Sequence, residues 1–462
     1  MVIIYSLGEA PHMFKKSAAF PPAMNVNRYE LQNGAEWIAV HDPQEPHFHT
    51  FFYARMGAEK EDKNHIEGMH LVEHIFFRGK NLADTIEINR KLEERRVTTN
   101  GGASQSLCHT YFHGPTRVAG HRDNVKEMIR SAHAALTRHE YDPSEFRLEK
   151  EVVRQELEEL RDANVWLQLG ELMSQRFYGG TRYGRTTDDC ISSIRRLTLT
   201  QVIALRDRLF RPQNLTVVTV GTKEDKKLEG VIHETFGSIP PAAKPLVQYP
   251  FQPPPRKEFL ELIPKSSHAS FVLHTIRGCQ PDVDKLPVLY VLNSILSGHD
   301  TSLLYEQLRT RRGQIYSPLG EIDTGRPEFR LSITYSCDKR YLEDTPQREG
   351  NLSLVRQTLE RLATEPLPQS DIRRLRNMAA EDFKETLHQD SEECGEWYGE
   401  NSAVGIFYDH REFAKALMGV TARQVRNAMR DWLPGMGTIA FVPDGARQET
   451  GETGLYSQPK PL

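Results

Sequence analysis

The sequence predicts an α+β protein of two domains, and three observations carry that reading. An Asn-Gly turn flanked by strand-like runs opens the chain, further strand-like runs then mix with long helical segments, and a proline-dense stretch divides the chain near its middle. At 462 residues the chain is also too long for one hydrophobic core.

The elements follow in order. Residues 29–40, YELQNGAEWIAV, read as a hairpin, with Asn33-Gly34 supplying positive φ angles between two strands. A strand-like run at 49–55 comes next, then a helix at the stretch GMHLVEHIFFRG (68–79), a second helix near 84–94, and strand again around 110–113. Strands joined this way and mixed with helices imply a largely antiparallel sheet with helices on one side. Residues 237–256, GSIPPAAKPLVQYPFQPPPR, deny donors to a sheet and break helices. They set the expected layout: a first domain over 1–240, a semi-rigid linker over 241–256 and a second domain over 257–462.

The halves share a faint repeat. Thr198-x-x-Gln201 opens a helix that runs into the strand-like 215–221, and Thr421-x-x-Gln424 opens one that runs into 437–442. Both are capping boxes, in which threonine accepts from a first-turn amide and glutamine reaches back. Pro143-Ser144-Glu145 and Gln369-Ser370-Asp371 lead long charged helices at matching places. Capping boxes are common, so duplication and coincidence both stay open.

Composition narrows the function. The chain is 38% hydrophobic and 26% charged with a mean hydropathy of -0.57, as soluble globular proteins are. A net charge of -4 without long single-sign blocks argues against nucleic acid and polybasic membrane surfaces. No apolar run reaches the roughly 18 residues of a membrane span. Cys108, Cys190, Cys279, Cys337 and Cys394 are scattered without a CxxC pair, so neither a disulfide framework nor a cysteine zinc site is expected. The first residues lack the order of a secretory signal, and a reducing, cytoplasmic setting is the expectation.

Chemistry concentrates in the 68–79 stretch. On a helix, His70 and His74 share a face and Glu73 lies beside them, while Leu71, Val72, Ile75 and Phe76 bury the rest. Burying such polar groups costs several kcal/mol unless something satisfies them. Two imidazoles at this spacing can hold one Zn²⁺, and the carboxylate can act as general base. The order His-x-x-Glu-His is the inverted metalloprotease signature, although chance gives such a string in a chain of this composition with a probability of roughly 0.05. His65, five residues before His70, reads as an ordinary loop histidine. A third ligand is sought in LEKEVVRQELEEL (148–160), where Glu149 and Glu156 share a helix face with Val152 and Val153 between them as packing residues. Glu151 and Glu158 form a rival pair, and acidic helix runs are usually solvated faces.

Together these residues resemble the pitrilysin and insulin-degrading-enzyme type of zinc peptidase, which includes the mitochondrial processing peptidase. The resemblance spans the hairpin at 29–40, the helix at 70–79 with its trailing Phe-basic-Gly, residues 214–240, and the run from 291–298 into 308–317. It implies two homologous domains, with His70 and His74 as zinc ligands and Glu73 as general base. It also implies Glu156 as third ligand in preference to Glu151, and Glu149 as its supporting carboxylate. Arg309 and Tyr316 correspond to the pair that contacts substrate near the scissile carbonyl. The family's chains pair into a chamber around a peptide, so a homodimer or a heterodimer with a related subunit is implied. The activity implied is peptide cleavage, in processing or maturation, with a non-catalytic peptide-binding or assembly subunit as the alternative. Two departures stand out. Glu67 occupies a position where the family commonly has glycine, and residues 99–111 are only loosely like its edge strand, with Gly102-Ala103 in place of an Asn-Ala pair and Asn100 displaced.

Overall fold

The computed structural model describes residues 24–55, 57, 61, 66–104, 106–120, 123–241 and 251–444; the chain's first residues, His65 and most of the expected linker lie outside them. The first sheet consists of β1 (Asn25–Glu30), β2 (Glu36–His41), β3 (His47–Ala54), β4 (Thr98–Ala103), β5 (Cys108–Pro115) and β6 (Leu215–Gly221), in the order β1-β2-β6-β3-β5-β4. The second consists of β7 (Phe259–Lys265), β8 (Ser270–Arg277), β9 (Leu319–Asp323), β10 (Arg330–Cys337) and β11 (Met436–Pro443), in the order β7-β11-β8-β10-β9. Without β1 the two orders coincide. Even the exception coincides, since β2 with β6 and β7 with β11 are parallel while the other neighbours run antiparallel.

The helices repeat as well. In the first half they are α1 (Gly68–Phe76), α2 (Leu82–Glu94), α3 (Asn124–Thr137), α4 (Pro143–Ala163), α5 (Val165–Tyr178), α6 (Thr187–Ile194), α7 (Leu199–Leu209) and α8 (Asp225–Glu234). The second half has α9 (Leu286–Leu296), α10 (Asn351–Thr364), α11 (Gln369–Gln389), α12 (Ser391–Ala403), α13 (His410–Gly419) and α14 (Ala422–Trp432). Both expected capping boxes form, at Thr198 and Gln201 and at Thr421 and Gln424. The helices α4 and α11, led by the matching sequences, are both 21 residues long. Position for position α9 is the counterpart of α1, and its sequence LPVLYVLNSIL carries no histidine or carboxylate.

Two expectations change. The opening turn is not a two-residue Asn-Gly turn: only Gly34 takes positive φ, at 87°, while the Asn33 amide reaches out to the carbonyls of Phe236 and Ile239 at 2.8 and 2.9 Å. Asn33 thus both shapes the turn, its Oδ1 accepting from the Ala35 amide at 3.1 Å, and fastens the hairpin to a distant segment, without taking positive φ itself. Helices also cover both faces of the first sheet. One face, with Phe48 and Phe52, joins the core containing residues of α1, α3, α4 and α7. The opposite face, with Phe51 and Tyr53, is covered by α12 from the other half of the chain.

That covering is reciprocal. The first half's α5 lies on β8 and β11, where Met173, Phe177 and Tyr178 pack with Leu273, Ile439 and Phe441. The Arg277 guanidinium stacks over Phe177 and Tyr178 at 5.4 and 5.1 Å and pairs with the buried Glu328 at 2.7 Å. On the other side, the Ser402 hydroxyl at the end of α12 donates to the buried Glu36, which also pairs with Arg28 and Arg55. The described end of the linker is tied down too, with Arg256 donating to the carbonyl of Asp431 at 2.9 Å and Phe251 packed against Tyr183.

The approach of α12 depends on two glycines four residues apart. A Cβ on Gly395 would collide with the Phe51 ring, and one on Gly399 with Tyr53. Gly399→Ala is therefore expected to lower stability in urea by about 1–3 kcal/mol, the usual cost of overpacking. Gly230→Ala on α8, where a Cβ meets nothing within 4 Å, should be neutral or slightly stabilising.

Candidate metal centre

Of α1, GMHLVEHIF, every residue except His74 is buried, which is why its polar side chains have fixed partners. Met69, Leu71, Val72, Ile75 and Phe76 enter the first-half core. At the helix start the Glu61 carboxylate accepts from the free amides of Glu67 and Met69 at 3.0 and 2.6 Å, and Arg185 pairs with it. Burial pushes the Glu61 pKa up to about 7, against the pull of Arg185. Sequence reading gave no hint of Glu61, because the loop it comes from has no periodicity.

The two imidazoles are held from behind and meet in front. His70 Nδ1 lies 2.9 Å from the Glu67 carboxylate, and His74 Nδ1 lies 3.0 Å from Glu149, which also pairs with Arg78. Their Nε2 atoms both face Glu156 Oε2, each at 3.5 Å. The three donor atoms lie within 4.8 Å of one another, and His70, His74 and Glu156 are the only such metal-capable group among the described residues. Two ligands bound tetrahedrally to zinc at about 2.1 Å stand about 3.4 Å apart, so the spacing fits a His-His-Glu zinc site. The His70 side chain is 4% exposed and that of Glu156 36%, which leaves the cluster open on the carboxylate side.

Charge supports the fit. Burial opposes protonation of His70, yet hydrogen bonds from Glu156 and Glu67 push its pKa up to about 10. For His74 burial is likewise outweighed by Glu149 and Glu156, to about 9. Hydrogen bonds with His70 and His74 in turn hold the Glu156 carboxyl well below the usual carboxylate range. Without a metal the pocket collects protons on both rings; a dication can take their place.

Glu73 stands beside the group, its Oε2 3.7 Å from His74 Nε2, and burial raises its pKa. Among the described residues the neighbouring strand β4 pairs only with β5 and forms the edge of its sheet. Residues 98–103, loosely patterned as they are, do form this edge. Gly101 allows it to pass close to the site, since a Cβ there would sit 3.0 Å from Glu73 Oε1.

Of the two acidic pairs on α4, the Glu149 and Glu156 pair faces the histidines. Glu151 instead pairs with Arg154 at the surface, as does Glu158. Val153 is buried as a packing residue should be, but Val152 is 45% exposed, so only one of the two valines packs. Arg309 and Tyr316 lie together, with the guanidinium 5.4 Å from the ring and Tyr316 78% exposed. Among the described residues no hydrogen bond or ion pair joins either to His70, Glu73, His74 or Glu156.

Known proteins share this architecture. Residues 196–379 match the family model described as the peptidase M16 inactive domain. The chain is 22% identical over 321 residues to a Mycobacterium leprae protein named an uncharacterized zinc protease, covering 68% of this chain and 69% of that one. A Bacillus subtilis protein named likewise is 23% identical over 296 residues, covering 63% and 69%. Among solved structures, a protease from Helicobacter pylori aligns with a TM-score of 0.79 at 14% identity, over 91% of this chain and all 100% of that one. The peptidase M16 inactive domain from Pseudomonas fluorescens aligns at 0.77 and 18% identity, over 92% and 100%. The chain has the fold of those structures, two similar α/β halves, and its second half carries the matched domain. More narrowly, residues 196–379 are similar to the M16 inactive domain, and the chain is similar to proteins named zinc proteases, as expected of the pitrilysin/insulinase type. The description "inactive" attaches to residues 196–379, a span without His70, Glu73, His74 or Glu156.

The geometry makes two expectations measurable. Glu156→Gln should lose zinc in a chelator competition by at least tenfold, whereas Glu151→Gln should keep it. Because His70 and His74 are raised above neutrality, zinc binding at pH 7 should release about two protons, and affinity should climb as pH rises from 6 to 9. Calorimetry in buffers of different ionisation enthalpy reads the proton count directly.

Proposed function

We propose that the chain is a zinc-dependent endopeptidase acting on peptides or unfolded segments. The observation that carries this reading is the convergence of His70 Nε2, His74 Nε2 and Glu156 Oε2 beside Glu73, along an open sheet edge. His70, His74 and Glu156 would hold the metal. When bound, zinc supplies Lewis acidity toward water and toward a carbonyl. Glu73, buried and raised in pKa, takes the proton from the attacking water and later delivers it to the leaving amine. An extended peptide adds to β4 through main-chain hydrogen bonds, which brings its backbone past Glu73 and disfavours folded substrates.

Arg309 and Tyr316 lie exposed in the second half, which suits a pair supplied to the site of a second copy rather than to its own. In the proposed dimeric chamber they stabilise negative charge developing on the carbonyl oxygen. The absence of a disulfide among the free cysteines suits a reducing, cytoplasmic setting, and no helix among the described residues is long and apolar enough to cross a membrane.

Glu73→Gln should cut turnover of a mixed peptide library by about 10²- to 10⁴-fold while bound zinc stays at the wild-type level. Unchanged cleavage would remove Glu73 from the mechanism, and a zinc-loaded wild-type chain without cleavage would favour the peptide-binding subunit. Mixing Glu73→Gln chains with Arg309→Ala chains tests the shared site. Random pairing of two inactive variants should restore about a quarter of wild-type activity if each site draws on both copies, and none if each chain is self-sufficient.

A further inference from the structure

We infer that Glu67 is a positioning residue that fixes the His70 ring for metal binding, a role that rests on the zinc reading above. Glu67 is the residue before α1 and takes the left-handed conformation, φ 67° and ψ 9°. Such φ values are uncommon for any residue but glycine and persist where the surroundings enforce them. The sequence thus keeps a strained carboxylate where glycine would sit without strain.

The carboxylate has a specific task. Its Oε1 lies 2.9 Å from His70 Nδ1 and accepts the proton there, so that Nε2, facing Glu156, is the nitrogen that gives up its proton to become a metal ligand. The Cys190 thiol of α6 hydrogen-bonds to the same carboxylate, which anchors it from the opposite side. The Glu67 side chain is only 14% exposed. Glu149 does the same for His74 from α4, at 3.0 Å. The two carboxylates stand on opposite flanks, each behind one ring, and together they aim both Nε2 atoms at one point. A metal-ligating histidine generally gives its second ring N–H to such a partner, which orients it and raises its basicity. Glu67 also lies at the start of α1, where its charge favours the helix dipole.

The test uses the full chain and the variants Glu67→Gly and Glu67→Gln, with zinc as the probe. Glycine relieves the left-handed strain, so thermal stability of the metal-free protein should be equal or higher. Zinc affinity by chelator competition should nevertheless fall about 10- to 100-fold. Glu67→Gln can still accept from Nδ1 and should fall between glycine and wild type. Selective ¹⁵N-histidine NMR of the metal-free chain gives a readout independent of zinc: the His70 Nδ1 resonance should shift in Glu67→Gly while that of His74 stays. Wild-type affinity in Glu67→Gly, or an unmoved Nδ1 resonance, overturns the assignment. A wild-type chain that binds no zinc while Nδ1 still shifts overturns the zinc reading, and with it the metal role of Glu67, but by a different result.

Discussion

The burial of α1 is the constraint on which the site depends. With its apolar residues locked into the first-half core, the helix cannot rotate to bring His70 or Glu73 to water. Each polar side chain on it must be satisfied where it stands, at a cost of several kcal/mol otherwise. Glu67, Glu149 and Glu156 meet that demand, and their negative charge draws protons onto both imidazoles. The only arginine on this group, Arg78, is engaged by Glu149. In the proposed reading a metal cation between His70, His74 and Glu156 takes the place of those protons.

The two halves share one architecture, but only the first brings metal-capable side chains together among the described residues. In the second sheet α9 holds the place of α1, and Val288, Leu289, Val291 and Leu292 are simply core. Its sheet still does work for the first half, because α5 rests on it. The helix α4 that carries Glu149 and Glu156 ends at Asn164, whose side chain caps α5 by accepting from Trp166 and Leu167. The ligand helix is therefore anchored at one end against α1 and at the other, through α5, on the second sheet. Relative motion of the sheets would be felt at Glu156.

Much of this was legible in the sequence, and the boundary is physical. Local signals were read correctly: capping boxes at Thr198 and Thr421 need only residues three apart, and the stripe of His70, Glu73 and His74 needs only helical period. The resemblance, and not the helix pattern alone, favoured Glu156 over Glu151, and of the two valines expected to pack between Glu149 and Glu156 only Val153 does. The exchange of α5 and α12 could not be read, since Gly395 and Gly399 look like weak points of a helix until Phe51 and Tyr53 are known to lie against them. The fastening role of Asn33 was hidden for the same reason, its partners being about 200 residues away. Glu67 was visible as a departure from a pattern, but only its φ angle and its distance to His70 give the departure a meaning.

The sheet edge and the cluster set each other's usefulness. Strand β4 is an edge because nothing among the described residues pairs with it beyond β5, and an unpaired edge is a hazard that proteins usually cover or shorten. Here it is six residues long and thinned by Gly101, whose backbone lies against Glu73, and by Gly102, which lies against the His109 ring. Glycine at these places weakens the strand and leaves no side chain to guard it. Such a weakness suits a place where another backbone comes close, and the group beside it is Glu73, the proposed general base next to three metal-capable donors. The stretch that looks least like a good strand is thus the one whose composition is best accounted for by the proposed peptide binding.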